Sequence, residues 1–187
     1  MQVRAQKQTL EGKLDMLEAI RKRCSVRSYA ETPVSEEDLE AILEAALSAP
    51  TANNVRPWHI VVVTEAEKRA ALAKVHQWAG FCAEAPVVLA FCADADKQPH
   101  WWIEDSCAAL ENALIQAADL DLGTCWVGIR GGSGEAGPGP EREDLVREIL
   151  DIPEEMRVLG LVSLGHPSGD TGPKPAGPMD AIHRESW

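Results

Sequence analysis

Ala49-Pro50-Thr51-Ala52-Asn53-Asn54-Val55-Arg56-Pro57-Trp58 runs straight into His59-Ile60-Val61-Val62-Val63-Thr64. A polar loop here hands over to a run rich in β-branched residues, which suit a pleated sheet better than a helix. The run shows no polar–apolar alternation, so it predicts a strand covered on both faces. On the other side of the loop, Pro33-Val34-Ser35-Glu36-Glu37-Asp38-Leu39 is a helix start. Ser35 can cap it, Asp38 falls at N3, and Val34 can staple against Leu39. Leu39, Ile42, Leu43, Ala46 and Leu47 then form one apolar stripe, and Pro50 ends the helix.

Working outward, Leu14 to Lys22 reads as a first helix, with Leu14, Leu17 and Ile20 on one side. Glu65 to His76 reads as helix, and Pro86 to Cys92 as a second buried strand. Trp101 to Leu120 is the longest helix; Ile103, Cys107, Leu110, Leu114 and Ala117 make a narrow seam suited to another long helix, in the same chain or in a second subunit. Thr124 to Ile129 predicts a third strand, Glu141 to Leu150 a short helix, and Arg157 to Gly165 a fourth strand. The Gly/Pro-rich stretch Gly131 to Pro140 reads as a loop. After the fourth strand, His166 to Pro178 holds too many prolines and glycines to build a core. A terminal Trp187 argues that this tail wraps over something. Helices come first, then strands mixed with helices, which predicts one α+β layered domain.

The chain has 187 residues with 45% hydrophobic content, enough for a sizeable core. No stretch approaches the roughly 20 apolar residues that cross a bilayer. Met1 to Gly12 is a polar extension without an apolar leader core, so a cytoplasmic location is expected. Net charge is −12, from 30 acidic and 18 basic residues. That surface repels nucleic acid and anionic membranes, and neither is expected as a partner. Cys24, Cys82, Cys92, Cys107 and Cys125 show no CxxC spacing and read as free thiols. The five histidines form neither HxH nor HExxH, so no zinc site is expected.

Against this acidic background, Arg23-Cys24-Ser25-Val26-Arg27 stands out. If the segment is extended, Arg23, Ser25 and Arg27 share one face. Arginine binds phosphate oxygens through bidentate, charge-assisted bonds, and serine can bond a sugar hydroxyl. In the polar loop, Thr51 and Asn54 can offer a hydroxyl and an amide, while Trp58 reads as core. Leu122-Gly123-Thr124-Cys125-Trp126-Val127-Gly128-Ile129 brings glycines to both ends of a short strand, and Gly128 lets backbone approach a flat ring. The later glycines do not fit GxGxxG and open no helix directly, which rules out a Rossmann loop.

These pieces together resemble the FMN-dependent nitroreductase superfamily. The resemblance rests on Arg-Cys-Ser-Val-Arg, then Ala-Pro-Thr-Ala-Asn-Asn-Val-Arg-Pro-Trp, then Leu-Gly-Thr-Cys-Trp-Val-Gly, then Leu-Gly-His-Pro with a late Pro-Lys-Pro. It runs from about Leu17 to Trp187. It implies an α+β, nitroreductase-like fold in which helices flank a central, mostly antiparallel sheet. It also implies an interwoven homodimer, with residues 13–187 as a single FMN-binding domain and residues 166–187 as a tail wrapping the partner subunit. Arg23 would contact the FMN phosphate with Cys24 beside it, Ser25 the ribityl chain, and Arg27 the N1/O2 edge of the flavin. Pro50, Thr51, Ala52 and Asn54 would reach the cofactor from the other subunit. Trp126, Val127 and Gly128 would line one ring face, and Lys174 would bind phosphate.

The implied activity passes hydride from NADH or NADPH through FMN to a nitroaromatic, quinone or similar acceptor by a ping-pong mechanism. Relatives with dehalogenation, azoline oxidation or flavin metabolism as their reaction, and a non-enzymatic FMN-binding protein, are the alternatives. Two positions depart from the family pattern. Arg56 stands where glutamine is common, and Ala176 where an arginine is common. Phosphate binding then leans on Arg23 and Lys174, or on Arg56 or Arg184 in compensation.

Overall fold

The computed structural model describes residues 16–130, 139–169, 171–172 and 175–187. The polar extension, Leu14, the loop of residues 131–138 and Lys174 lie outside the described residues. Helix α1 spans Met16–Lys22 and buries Ala19. Leu17 and Ile20 of its expected apolar side are exposed, so this short helix anchors through its smallest residue. Helix α2, Glu36–Leu47, begins as its sequence requires: Ser35 is extended and its hydroxyl accepts from the Asp38 N–H at 3.0 Å. Val34 packs against the cluster that holds Leu39.

Strand β1 is Trp58–Val63, helix α3 Ala66–Leu72, strand β2 Val87–Asp94 and helix α4 Trp102–Asp119. Strand β3 is Gly123–Gly128, helix α5 Gly139–Leu150 and strand β4 Met156–Gly165. The four strands form one antiparallel sheet in the order β1-β2-β4-β3.

The sheet sits between two helical layers, and β2 shows why. Val87, Leu89, Phe91 and Ala93 pack in a cluster with Leu39, Ile42, Leu110 and Leu114 from α2 and α4. Val88, Ala90 and Cys92 pack in the opposite cluster with Leu72 of α3 and Val146 of α5. A central strand buried on both faces needs a continuous apolar run, which is what β2 carries. The seam of α4 meets α2 of its own chain, where the Asn112 amide donates to Ala45 O at 3.1 Å. Arg157 of β4 binds Glu143 of α5 through two hydrogen bonds of 2.9 and 2.8 Å. The Val158 N–H donates to the same carboxyl, so α5 is tied to β4 by polar contacts as well as by Val146.

Two expectations need correction. Among the described residues, strand β1 is an edge strand paired only with β2, and His59 and Val62 are exposed. A β-branched run reports strand preference, but its place in the sheet is set by its neighbours. Helix α3 also stops at Leu72, short of His76. Its start has no side-chain cap, and beyond it the Trp78 N–H donates to His76 Nδ1 at 3.0 Å, a local bond that competes with helix.

Candidate cofactor site

The basic pentapeptide is extended where it meets the sheet. Ser25 forms a parallel bridge with Thr124, and the Val26 N–H donates to Thr124 O at 2.8 Å. The chain continues along this course: Tyr29 bridges Pro167, and the Ala30 N–H donates to His166 O at 2.9 Å. Segment 25–30 is therefore zipped to the outer side of β3 and to residues 166–168 just beyond β4. Gly123 permits the contact, since a Cβ there would lie 2.7 Å from Val26 Cγ2. Behind it, the Tyr29 hydroxyl donates to Val26 O (2.7 Å) and pairs with Ser163 Oγ (2.6 Å), and Ser163 also reaches Cys125 O at 3.3 Å. Burial pushes the Tyr29 phenol well above its ordinary range, so it stays a neutral donor.

Arg23 and Arg27 end up in two neighbouring clefts instead of one continuous row. The first is small and lined by Lys22, Arg23, Cys24, Gly123, Thr124 and Thr171. Arg23 Nε lies 3.7 Å from Glu111 Oε1, and Lys22 pairs with Asp121. The second has a volume of about 120 Å³ and is lined by Arg27, His76, Trp78, Phe81, Trp126 and Gly128. The Arg27 guanidinium sits 5.8 Å from the centre of the Phe81 ring. Trp126 is half-exposed and lies across Gly160, where any Cβ would collide with the indole. At Gly128 a Cβ would meet nothing within 4 Å, so the β3 backbone is open to a ligand.

Burial, with the charge of Arg142 as a smaller cause, pushes His76 below its ordinary range. That agrees with an unprotonated Nδ1 accepting from Trp78. His76, Trp78 and Phe81 were not among the expected site residues. Their signal is weak, because they follow α3 in an irregular stretch whose path no periodicity predicts.

The polar loop is built quite differently. Thr51 precedes a 3₁₀ turn, Ala52–Asn54, and Asn53, Asn54 and Arg56 have φ of 55°, 57° and 52°. Left-handed backbone is uncommon for residues with a side chain and clusters at functional sites. Thr51 Oγ1 accepts from the Arg56 N–H at 3.1 Å, and Asn54 Oδ1 accepts from Arg56 Nε at 3.1 Å. Arg56 thus stands at the centre of the turn. Ala52 is held at both of its backbone polar groups, by Asp105 Oδ1 and by Gln98 Nε2. Pro50 and Asn54 are exposed at the surface of this loop.

The two halves lie at opposite edges of the sheet. The loop feeds β1 while the pentapeptide is zipped outside β3, with β2 and β4 between them. The tail reaches outward: Met179 and Ile182 are exposed, and Trp187 is fully exposed, its ring 4.2 Å from that of His183.

The residues present fit a flat, phosphorylated ring. A cleft walled by indole, phenyl and imidazole, with a guanidinium at its edge and open backbone at Gly128, suits the ring. The adjacent Lys22/Arg23 cleft suits the anionic end. At about 120 Å³ the aromatic cleft falls below the roughly 300–1,000 Å³ of a typical small-molecule site.

The Nitroreductase family model matches residues 20–81 and 76–166. A protein of Methanothermobacter thermautotrophicus, provisionally named an NADH dehydrogenase/NAD(P)H nitroreductase, is 34% identical over 178 residues, covering 94% of this chain and 90% of its own length. An NAD(P)H FMN reductase of Bacillus subtilis is 28% identical over 186 residues, covering 92% of this chain and 74% of its own. Among solved structures, an FMN-dependent nitroreductase from Clostridium difficile superposes with a TM-score of 0.84 at 28% identity, covering 91% of this chain and 99% of that one. The chain belongs to the nitroreductase family. Its α+β fold, built here on a four-stranded antiparallel sheet, is that of the Clostridium difficile nitroreductase.

Proposed function

We propose that the protein is an FMN-dependent NAD(P)H oxidoreductase. It acts as a homodimer and passes reducing equivalents from NADH or NADPH to a nitroaromatic, quinone or similar acceptor in a ping-pong cycle. The observation that carries this is the split site. The aromatic cleft with Arg27 lies outside β3, and the loop of Thr51 to Asn54 lies at the β1 edge, so the set closes only between two copies. Residues 13–187 act as the single cofactor-binding domain, with residues 166–187 laid over the partner so that Met179, Ile182 and Trp187 are covered.

FMN, when bound, supplies the hydride exchange with the reduced nicotinamide and with the acceptor. Arg23 and Lys174 hold its phosphate beside Cys24, and Ser25 holds the ribityl chain. Arg27 would hold positive charge at the edge of the ring and so favour its reduced form. Trp126, Val127 and Gly128 form the floor under the ring. Pro50, Thr51, Ala52 and Asn54 close the site from the second chain. They would exclude water from the bound cofactor. Five free thiols, Cys24, Cys82, Cys92, Cys107 and Cys125, and reduced nicotinamide as reductant suit a cytoplasmic setting. Among the described residues, no helix is long and apolar enough to cross a membrane.

The test is a visible absorption spectrum. The purified protein should be yellow, and the colour should bleach with NADH or NADPH under anaerobic conditions and return with an acceptor. A colourless protein that takes up no added FMN would overturn the proposal.

A further inference from the structure

We propose that Asp105, with Gln98, is a positioning residue that acts across the subunit boundary: it presets the Thr51 to Arg56 loop of one chain to close the cofactor site of the other. The inference rests on the flavin reading above and adds residues that the sequence motifs leave out.

Ala52 is gripped at both of its backbone polar groups. Its N–H donates to Asp105 Oδ1 at 2.9 Å, and its C=O accepts from Gln98 Nε2 at 3.1 Å. Both supports are buried, each 5% exposed. They also share one base, since the Trp102 N–H donates to Gln98 O at 3.2 Å and Asp105 stands one turn further along α4. Trp102 is itself buried, with the Arg130 and Arg157 guanidiniums 5.6 and 5.2 Å from its ring.

Asp105 occupies an odd place for a carboxyl. It falls on the buried stripe of α4 that contains Trp102, Ala109 and Ala113, and burying a polar side chain there is unfavourable unless it is hydrogen-bonded. The bond it makes goes to the loop, 53 residues away in sequence. The loop needs such a support, because three of its residues hold left-handed backbone that a free chain would leave readily. Ala52 is the residue from which that turn begins.

The action must be in trans. Asp105 holds a loop at the β1 edge, while the cleft of Arg27, Trp126 and Gly128 lies at the β3 edge of the same chain. A loop fixed by Asp105 therefore serves the cleft of a second copy. One oxygen of Asp105 does the holding. The other, Oδ2, is buried without a hydrogen-bond partner among the described residues. Replacing it by an amide nitrogen removes no bond, so asparagine should preserve the grip and alanine should not.

The experiment titrates FMN into the cofactor-free full chain, read by quenching of flavin fluorescence, with a thermal melt beside it. Asp105→Asn should bind within about twofold of wild type, and Asp105→Ala roughly 3- to 10-fold more weakly, as for loss of one hydrogen bond. The deciding measurement mixes Asp105→Ala chains with Arg23→Ala chains and lets dimers exchange. In a hybrid dimer, one site receives an intact Arg23 from one chain and an intact loop support from the other. Random pairing makes about half the dimers hybrid, so about a quarter of all sites should regain wild-type affinity.

A support acting within its own chain, or through general stability, restores no such fraction; a mixture without tight sites overturns the inference, as does unchanged affinity in Asp105→Ala. If Asp105→Ala does not fold, Gln98→Leu removes the other grip and should complement Arg23→Ala in the same way, with the same null result counting against it. A wild-type chain that takes up no FMN would remove the flavin reading itself. A wild-type chain that binds FMN but fails complementation removes this inference alone.

Discussion

The pentapeptide around Ser25 and the loop around Asn53 are both short, polar and irregular in sequence, yet the fold holds them by opposite means. The pentapeptide is held by backbone: Ser25 bridges Thr124 of β3, Tyr29 just after it bridges Pro167 beyond the end of β4, and Val26 fills a gap that Gly123 leaves open. The loop is held by side chains: Asp105, Gln98, Thr51 and Asn54 support a backbone that, among the described residues, no ladder touches. A segment held by a ladder tolerates changes in most side chains and fails where a close approach fails. A segment held by side chains fails when any one support is lost. The comparison can be broken by experiment at either end.

The largest effect is expected at Arg23. Under the proposed function, Arg23→Ala should weaken FMN binding by about 1.5–3 kcal/mol, the scale of a hydrogen bond to a charged group. Because the backbone ladder supports this segment, the melting temperature should hardly move. Unchanged FMN affinity by titration would take Arg23 out of the phosphate site.

Next comes the close approach itself. Gly123→Ala puts a Cβ 2.7 Å from Val26 Cγ2 and 2.8 Å from its Cβ. Those atoms belong to a stiff β-branched side chain next to the backbone, so the strand must part. The expected cost is about 1–3 kcal/mol of stability, measured by urea denaturation. FMN affinity should fall with it, since Arg23 and Arg27 ride on the displaced segment. A neutral Gly123→Ala would show that the ladder does not depend on this contact.

Tyr29→Phe probes the same zipper more gently. It removes the donor to Val26 O and the partner of Ser163. Ser163 can still turn to Cys125 O at 3.3 Å, so the loss should stay near the net value of one hydrogen bond, about 0.5–1.5 kcal/mol. A loss of several kcal/mol would mean that the hydroxyl network, and not the ladder, carries the segment.

How much of this was legible depends on how local each cause is. The start of α2 could be read because Ser35 and Asp38 are three residues apart. Strand β2 could be read because burial on both faces demands an unbroken apolar run. The position of β1 could not, since an edge strand and a central strand can share the same Val-Val-Val. The early end of α3 was hidden, since Lys74 and Val75 pass into tighter i→i−3 turns and His76 accepts from the Trp78 N–H beyond them. In the proposed site, the arginines and Ser25 of the pentapeptide and the small polar residues of the loop stand in recognisable motifs, whereas Gln98 and Asp105 left none. They lie 46 and 53 residues from Ala52, and only the sheet order brings them together. One trace was available in retrospect: an acid at i+3 from Trp102 on an otherwise apolar stripe asks what it is bonded to.

The smallest effect tests the loop without touching its supports. Asn53 has φ of 55° and is exposed. Glycine adopts that conformation freely, while asparagine tolerates it better than most residues. Asn53→Gly therefore removes a small native strain but also loosens the unfolded chain. The two should nearly cancel, leaving stability within about 0.5 kcal/mol of wild type. If the grip on Ala52 rather than the left-handed residues themselves keeps the loop in place, FMN affinity should also stay within about twofold, and Asn53→Ala should lose about 1 kcal/mol of stability from strain alone. A large fall in FMN affinity for Asn53→Gly, with stability unchanged, would reverse the comparison. The loop would then be rigid through its own backbone, and Asp105 and Gln98 would merely rest against it.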